Sequence, residues 1–204
     1  MVINFIKKHW KREVYGMNKE FEGKKLLIIG GTKTECDIIR YAKAKGVYTI
    51  VADYNPEAPG MKTADKAVLI SARDIEALVD FCKKEKVDGV ITGFVDILLT
   101  PYREVCKRLN FPCYITDKML SMSTNKVIFK ETCDKYGVPV PHTYLMAGSI
   151  DEDTLKRINY PVFVKPLDGS GSRGAGVCNN EKELFAKFQE AVDYSASGNA
   201  IIED

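Results

Sequence analysis

The sequence has little histidine and tryptophan, almost no net charge, and no long apolar run. Of its 204 residues, two are His and one is Trp. Lys and Arg number 30 against 28 Asp and Glu, a net charge of +2. Nucleic-acid-binding proteins usually show a much larger basic excess, so we expect no nucleic-acid partner. No apolar run approaches the roughly 20 residues that cross a bilayer, so we expect no membrane partner either.

The six cysteines do not form a metal or redox motif. There is no C-x-x-C pair, and the spacing to His9 and His142 does not suit a metal site. Most of the cysteines lie among apolar neighbours, which favours reduced, buried thiols in a cytoplasmic protein. They are Cys36, Cys82, Cys106, Cys113, Cys133 and Cys178. No metal ligands are predicted within the sequence.

Residues 1–22 are predicted to be an N-terminal extension. The apolar stretch Val2–Ile6 is too short for a secretory signal core, and basic residues follow it rather than precede it. A start at Met17 would remove the stretch altogether. We assign this extension no function.

Residues 23–116 are predicted to form a doubly wound α/β domain with a parallel sheet. Short apolar runs alternate there with amphipathic helical patterns. Strands are predicted at 25–29, 47–52, 67–70, 87–92 and 111–115, and helices at 34–45, at 74–84 and from Pro101. Ligands bind at the carboxyl ends of such strands, here at Gly30-Gly31-Thr32, Asp53 and Thr92-Gly93.

Residues 117–204 are predicted to form a second, α+β domain. A helix capped by Ser123-Thr124 is expected to run to about Tyr136 and to end at Gly137. Strands are expected at 142–146, 160–165, near 177 and at 200–202, with helices at 151–157 and 181–192.

The glycine pair after the first strand invites a nicotinamide interpretation. Asp53 lies where a ribose-binding acid would be, but Gly30-Gly31-Thr32 lacks the G-x-G-x-x-G spacing. A nicotinamide-dependent enzyme, another small ligand, and a purely structural turn all remain open at this position.

A lysine followed by a glycine-rich loop is a stronger signal. Lys165 ends a predicted strand, and residues 169–176 contain four glycines. Free backbone amides beside a fixed cation suit a polyphosphate. The lysine precedes the glycines, unlike in the P-loop, and a flexible surface linker is the alternative. Lys126 lies in the first turn of a predicted helix, and taken by itself it would be interpreted as a solvated lysine.

Three features in a fixed order resemble the ATP-grasp superfamily, especially its carboxylate–amine ligases. They are the Asn125-Lys126 helix followed by residues 137–141 (GVPVP), Lys165 with its loop, and residues 201–204 (IIED). The glycine pair at 30–31 with residues 53–60 and 64–67 is similar to the pre-ATP-grasp domain of purine-biosynthetic carboxylases, carbamoyl phosphate synthase and biotin carboxylase.

The resemblance assigns roles by position. Lys126 and Lys165 would contact the nucleotide phosphates, while Glu203 and the backbone of Asp204 would read the adenine edge. Gly31, Thr32, Thr92 and Gly93 would help to hold the second substrate. The mobile loop closing over the triphosphate would comprise Gly169, Ser170, Gly171, Ser172, Arg173, Gly174 and Gly176.

The implied cofactors are ATP and Mg²⁺, and the implied fold is a pre-ATP-grasp domain followed by an incomplete first ATP-grasp subdomain. The family's metal ligands follow the adenine linker, so we expect them beyond residue 204. The chain would then be the N-terminal portion of a longer ligase and inactive alone.

The implied reaction activates a carboxylate as an acyl phosphate, which an amine then attacks to form a C–N bond. The partners would be the small carboxylate and amine substrates, and a homodimer is compatible with this class. The alternative is a self-contained nucleotide- or metabolite-binding module without catalysis.

Overall fold

The computed structural model describes residues 20–168 and 171–204. Nearly all of the predicted N-terminal extension, and the loop residues Gly169 and Ser170, lie outside the described residues. The chain divides into two compact units between Thr116 and Asp117.

The first unit is built on a parallel sheet of four strands in the order β3-β2-β1-β4. The strands are β1 Lys25–Ile29, β2 Tyr48–Asp53, β3 Lys66–Leu69 and β4 Gly89–Thr92. Leu27, Ile28 and Ile29 of β1 are fully buried, as are Ile50, Val51 and Ala52 of β2. Continuous burial is expected of central parallel strands, which are covered on both faces.

The helices of this unit follow the strands. They are α1 Glu35–Ala44, α2 Pro59–Thr63, α3 Ile75–Glu85 and α4 Leu99–Leu109, with a 3₁₀ turn at Asp96–Leu98. Asp74 caps α3 by accepting a hydrogen bond from the Ala77 amide at 3.0 Å. The α/β class and the predicted order of strands and helices are confirmed up to β4, except that the short helix α2 lies where the sequence predicted a loop.

The fifth strand predicted at 111–115 is wrong, because this segment forms no strand. Pro112 has no amide to donate to a ladder. The Tyr114 amide instead donates to the Tyr102 hydroxyl at 3.2 Å, and the two rings stack with centroids 4.7 Å apart. The helix predicted from Pro101 begins two residues earlier, at Leu99, so Pro101 lies in its first turn.

The second unit contains an antiparallel sheet in the order β5-β8-β6-β7. The strands are β5 Thr143–Ala147, β6 Val162–Pro166, β7 Gly176–Cys178 and β8 Ala200–Glu203. The helices are α5 Asp117–Thr124, α6 Lys126–Lys135, α7 Glu152–Arg157 and α8 Glu181–Tyr194. Val164 and Ile202 of the sheet form one core with Leu184 and Phe188 of α8.

The start of α6 differs from the prediction, because Asn125 is its N-cap. The Asn125 side chain accepts hydrogen bonds from the amides of Val127 at 2.9 Å and Ile128 at 3.2 Å. The predicted caps, Ser123 and Thr124, instead belong to α5, and both hydroxyls donate to the Leu120 carbonyl. Helix α5 itself was not predicted. Among the helices of the described residues, none is both long and apolar enough to cross a bilayer.

Candidate functional site

A cleft in the second unit brings together three lysines and one glutamate. Its volume is about 370 Å³. The charged residues on its wall are Lys126, Lys130, Lys165 and Glu203. Met122, Ser123, Asn125, Phe129, Val140 and Pro141 complete the lining.

Three secondary-structure elements and one helix cap position these charged groups. Lys126 and Lys130 lie four residues apart on α6 and therefore on the same helical face. The Asn125 cap sets where that helix begins. Lys165 on β6 and Glu203 at the end of β8 lie on neighbouring antiparallel strands, with Phe163 opposite Glu203.

The carboxylate of Glu203 is the centre of the charge arrangement. Its side chain is only 4% exposed. Lys165 Nζ donates a hydrogen bond to Glu203 Oε1, and Lys130 Nζ makes an ion-pair contact of 2.8 Å with Oε2, outside directed hydrogen-bond geometry. A buried carboxylate needs such partners, because an isolated charge in the interior is strongly unfavourable.

Lys126 is the third cation of the cleft. Its ammonium donates to the carbonyl of Leu167 at 3.2 Å, just before the glycine-rich loop. Burial and then the neighbouring Lys165 ammonium lower the pKa of Lys126, while Asp168 and Glu203 act in the opposite direction. Three ammonium groups against one carboxylate leave the cleft with a surplus of positive charge, which favours an anionic ligand.

The residue just before the glycine-rich loop is held in place by hydrogen bonds. Asp168 accepts hydrogen bonds from the Ser195 hydroxyl at 2.7 Å and from the amides of Ala196 at 3.1 Å and Ser197 at 2.8 Å. These bonds hold the pKa of Asp168 below its usual value although desolvation acts against them. The loop therefore leaves from a fixed point next to the Leu167 carbonyl that Lys126 contacts.

The described part of the loop, residues 171–175, turns tightly before β7. Gly171, Ser172 and Gly174 have positive φ angles of 70°, 57° and 69°. A Cβ on Gly174 would lie 2.8 Å from Tyr194 Cδ2, so this position has no space for a side chain. Arg173 is exposed, and Gly176 begins β7.

Of the sequence-predicted nucleotide residues, the structure brings Lys126, Lys165 and Glu203 into one cleft. None of the described loop residues from Gly171 to Gly176 lines that cleft. Asp204 is exposed and its amide donates to the His142 carbonyl at 3.1 Å. Sequence reasoning missed Lys130, although its spacing of four residues from Lys126 was a usable signal.

The predicted substrate residues lie at the carboxyl edge of the first unit's sheet. Thr92 and Gly93 line a second cleft of about 430 Å³. Ile38, Ile91, Phe94, Asp96, Leu99 and Tyr114 complete its lining. Gly31 and Thr32 are not part of that lining. The Gly31 amide donates to Asp53 Oδ2 at 2.7 Å, and the Gly31 carbonyl accepts from the Gly60 amide at 2.7 Å.

These contacts bear on the nicotinamide interpretation. Both oxygens of the Asp53 carboxylate already accept backbone hydrogen bonds, one from Gly31 and one from Asn55 at 2.8 Å. A ribose hydroxyl would have to compete with them. Asp53 therefore acts as a support for the first βα turn, and nothing in the described geometry favours a dinucleotide there.

Glu35 is a buried acid at this edge that the sequence did not single out. It is the first residue of α1 and is 0% exposed. Its Oε2 accepts hydrogen bonds from the hydroxyls of Thr32 and Thr34, and its Oε1 lies against Gly93 without a hydrogen-bond partner. In the part of the chain that the structure describes, no group of three or more His, Cys, Asp or Glu side chains could hold a metal ion.

Comparison with known protein families agrees with both units in their order along the chain. The model described as "PylC-like, N-terminal domain" matches residues 26–108. The model described as "Carbamoyl-phosphate synthase L chain, ATP binding domain" matches residues 125–203. The chain belongs to the ATP-grasp superfamily.

Curated relatives of this ATP-grasp chain are longer proteins. It is 30% identical over 190 residues to the formate-dependent phosphoribosylglycinamide formyltransferase of Sulfurisphaera tokodaii, covering 90% of this chain and 47% of that protein. It is 32% identical over 203 residues to the carbamoyl phosphate synthase large chain of Campylobacter jejuni, covering 91% of this chain and 18% of that protein. The chain thus spans about half, or less, of the curated relatives that it matches.

Solved ATP-grasp structures share the fold. The biotin carboxylase domain of Hydrogenobacter thermophilus 2-oxoglutarate carboxylase, a dimer in complex with MgADP, ADP and bicarbonate, superposes with a TM-score of 0.69 at 24% identity, covering 88% of this chain and 44% of that one. N5-carboxyaminoimidazole synthetase of Staphylococcus aureus with ADP gives 0.72 at 21% identity, covering 92% and 48%. At these identities the likeness concerns the fold.

Proposed function

We propose that the lysine cleft of the second unit binds the phosphate groups of ATP, and that the chain is part of an ATP-dependent carboxylate–amine ligase. The observation that supports this most directly is the placement of Lys126 and Lys165 on the wall of one cleft with Glu203. Residues 23–116 and 117–204 then act as the pre-ATP-grasp domain and the first part of the ATP-grasp domain.

The charge of the cleft suits a triphosphate. Positioned cations stabilise phosphoryl transfer by neutralising the charge on the phosphate oxygens. Lys126 carries its ammonium in a partly desolvated position, where its attraction for an anion is less screened than at the surface. Lys165 is 25% exposed and is therefore accessible to a ligand in the cleft.

The glycine-rich loop, residues 169–176, would close over the phosphates and exclude water from a reactive intermediate. Its anchor at Asp168 keeps the loop base next to Lys126. Glu203 and the Asp204 backbone would lie at the adenine end of the nucleotide.

In the ligase reaction the γ-phosphoryl group of ATP passes to a carboxylate and ADP leaves. An amine nitrogen then attacks the acyl phosphate carbon, so that a C–N bond forms, phosphate departs and the amine loses a proton. Mg²⁺ would supply neutralisation of the triphosphate charge. We assign its ligands to the portion of the ligases that this chain does not cover. Gly31, Thr32, Thr92 and Gly93 would contribute to holding the second substrate.

Two further properties belong to this proposal. Five of the six cysteines are buried and all six are free thiols, which suits a cytoplasmic enzyme. The dimer described for the Hydrogenobacter biotin carboxylase domain makes a homodimer the oligomeric state to test first.

Calorimetric titration of the chain with Mg·ATP tests the nucleotide site. We expect weak binding that Lys165→Ala reduces further, with Lys182→Ala as the control because Lys182 is an exposed lysine of α8. Unchanged affinity of Lys165→Ala for Mg·ATP would show that Lys165 is not part of the nucleotide site.

The same titration addresses the alternative of a self-contained binding module. Micromolar affinity of the chain by itself would favour that module, since a partial cleft should bind only weakly. The ligase reaction itself requires this chain joined to the remainder of the enzyme. If that protein bound ATP but released no ADP with any carboxylate and amine, the ligase proposal would fail.

A further inference from the structure

Lys130 is the charged residue of the cleft to which the proposed function gives no role. Its side chain is only 12% exposed. Its ammonium donates to the Pro141 carbonyl at 2.8 Å and to the Thr143 hydroxyl at 2.8 Å. It also lies 2.8 Å from Glu203 Oε2. Three oxygen atoms from the loop before β5, from β5 and from β8 thus fix the position of this ammonium.

The two lysines beside Glu203 are held very differently. Within the described residues, Lys165 Nζ has one hydrogen-bond partner, the Glu203 carboxylate, and its side chain is 25% exposed. Lys130 is more buried and would lose three contacts at once if it moved. A ligand entering the cleft can therefore attract the Lys165 ammonium much more easily than that of Lys130.

Moving Lys165 toward a ligand has a cost that Lys130 can offset. If Lys165 were the sole partner of Glu203, its departure would leave a buried carboxylate without a counter-charge, which is strongly unfavourable. Lys165 would then remain bound to Glu203 and unavailable to an anion. A second, immobile cation on Oε2 removes this conflict.

We propose that Lys130 is a positioning residue that keeps Glu203 neutralised, so that Lys165 is released to the phosphate groups of the nucleotide. This inference rests on the proposed nucleotide site. Lys130 acts through Glu203 and does not itself contact the ligand. Lys130 therefore neutralises the Glu203 carboxylate, while Lys165 binds the phosphate groups of the ligand.

A double-mutant cycle on Mg·ATP affinity tests the proposal. Lys130→Met should weaken binding about tenfold, because Lys165 stays with Glu203. In a Glu203→Gln background the same change should cost less than about twofold, since no charge then needs neutralising. Lys130→Arg should keep most of the affinity. Lys135→Met, which removes a cation from an exposed position on the same helix, controls for net charge.

Each outcome of the cycle bears on the role of Lys130. A tenfold loss that Glu203→Gln abolishes supports the positioning role. An equal loss in both backgrounds would overturn it, because Lys130 would then contact the phosphates directly or act only through folding. No loss in Lys130→Met would overturn it as well.

Chemical labelling without nucleotide separates this proposal from the proposed function. An N-hydroxysuccinimide acetate reagent acylates accessible amines, and mass spectrometry gives the rate at Lys165. We expect that rate to fall several-fold in Lys130→Met and to recover in Lys130→Met/Glu203→Gln. If the wild-type chain bound no ATP, the proposed nucleotide site would be contradicted. The labelling rate would still show whether Lys130 determines how accessible the Lys165 amine is. An unchanged Lys165 rate in Lys130→Met would overturn the inference.

Discussion

Gly93→Ala provides a quantitative test of the packing at the carboxyl edge of the first unit's sheet. A Cβ at this position would overlap Glu35 Oε1 and would lie 3.0 Å from Glu35 Cδ. Glu35 is fully buried and its other oxygen is held by the Thr32 and Thr34 hydroxyls, so the carboxylate cannot move aside without losing those bonds. The overlap can therefore be relieved only by a shift of the buried groups around Glu35 and Gly93.

The expected magnitude combines two opposing effects. Adding a methyl group to a well-packed interior costs about 1–3 kcal/mol. Gly93 does not have a positive φ, so alanine also restricts the unfolded chain and recovers about 0.4–1 kcal/mol. We expect a net loss of about 1–2 kcal/mol, or a fall in Tm of roughly 3–6 °C for a chain of this size.

Urea and thermal unfolding followed by circular dichroism measure this loss. Gly89→Ala is the matched control on β4, because its Cβ would meet just Leu26 Cδ1 at an ordinary 3.6 Å. That variant should be as stable as the wild type or slightly more stable. In a Glu35→Ala background the cost of Gly93→Ala should fall by more than half. Equal stability of Gly93→Ala and Gly89→Ala would show that Glu35 does not oppose a side chain at position 93.

Three further predictions concern the second unit. Asp168→Ala should accelerate amide hydrogen exchange in residues 195–199, measured by mass spectrometry, because two backbone amides and the Ser195 hydroxyl lose their acceptor. Unchanged exchange would show that Asp168 does not hold this segment in place. Asn125→Ala should destabilise the unit by about 1 kcal/mol, measured by urea unfolding, since the N-cap of α6 is lost; Asn125→Ser, which can still cap, should lose less. The pKa of Lys126 is lowered in the free protein, and an anionic ligand should raise it again. In the pH range between the lowered pKa and the ordinary value of 10.5, binding of ATP should therefore be accompanied by uptake of a proton. In that range the affinity for ATP should fall as pH rises. Calorimetry in buffers of different ionisation enthalpy measures this uptake, and Lys126→Met should abolish it.

The strands and helices that the sequence predicted well are those with a continuous apolar run or a clear helical face. The parallel strands β1 and β2 are such cases, because burial on both faces demands uninterrupted apolar residues. The stretch 111–115 looks equally apolar, but Pro112 and the Tyr102–Tyr114 contact take it out of the sheet. Helix α5 has no buried residue, so its sequence contains no apolar face from which the helix could be predicted.

The candidate site was predictable where a residue carries an uncommon local pattern. Lys165 was recognisable from the strand and glycine loop around it, and Lys126 from the helix start and from the family resemblance. Lys130 and Glu35 were not singled out, because their importance arises from tertiary contacts, with Glu203 in one case and with Gly93 in the other. Such pairings join residues far apart in the sequence. The four-residue spacing from Lys126 places Lys130 on the same helical face, but it does not indicate the contact with Glu203.

In the proposed nucleotide site, the ammonium groups of Lys126 and Lys165 meet the phosphates of one nucleotide. An ATP acyl-phosphate probe, which transfers its acyl group to lysines beside the bound phosphates, tests it most directly when the labelled residues are identified by mass spectrometry. We expect labelling at Lys126 or Lys165 that excess ATP prevents, with Lys182 labelled only at background level. Labelling spread evenly over exposed lysines and insensitive to ATP would contradict it.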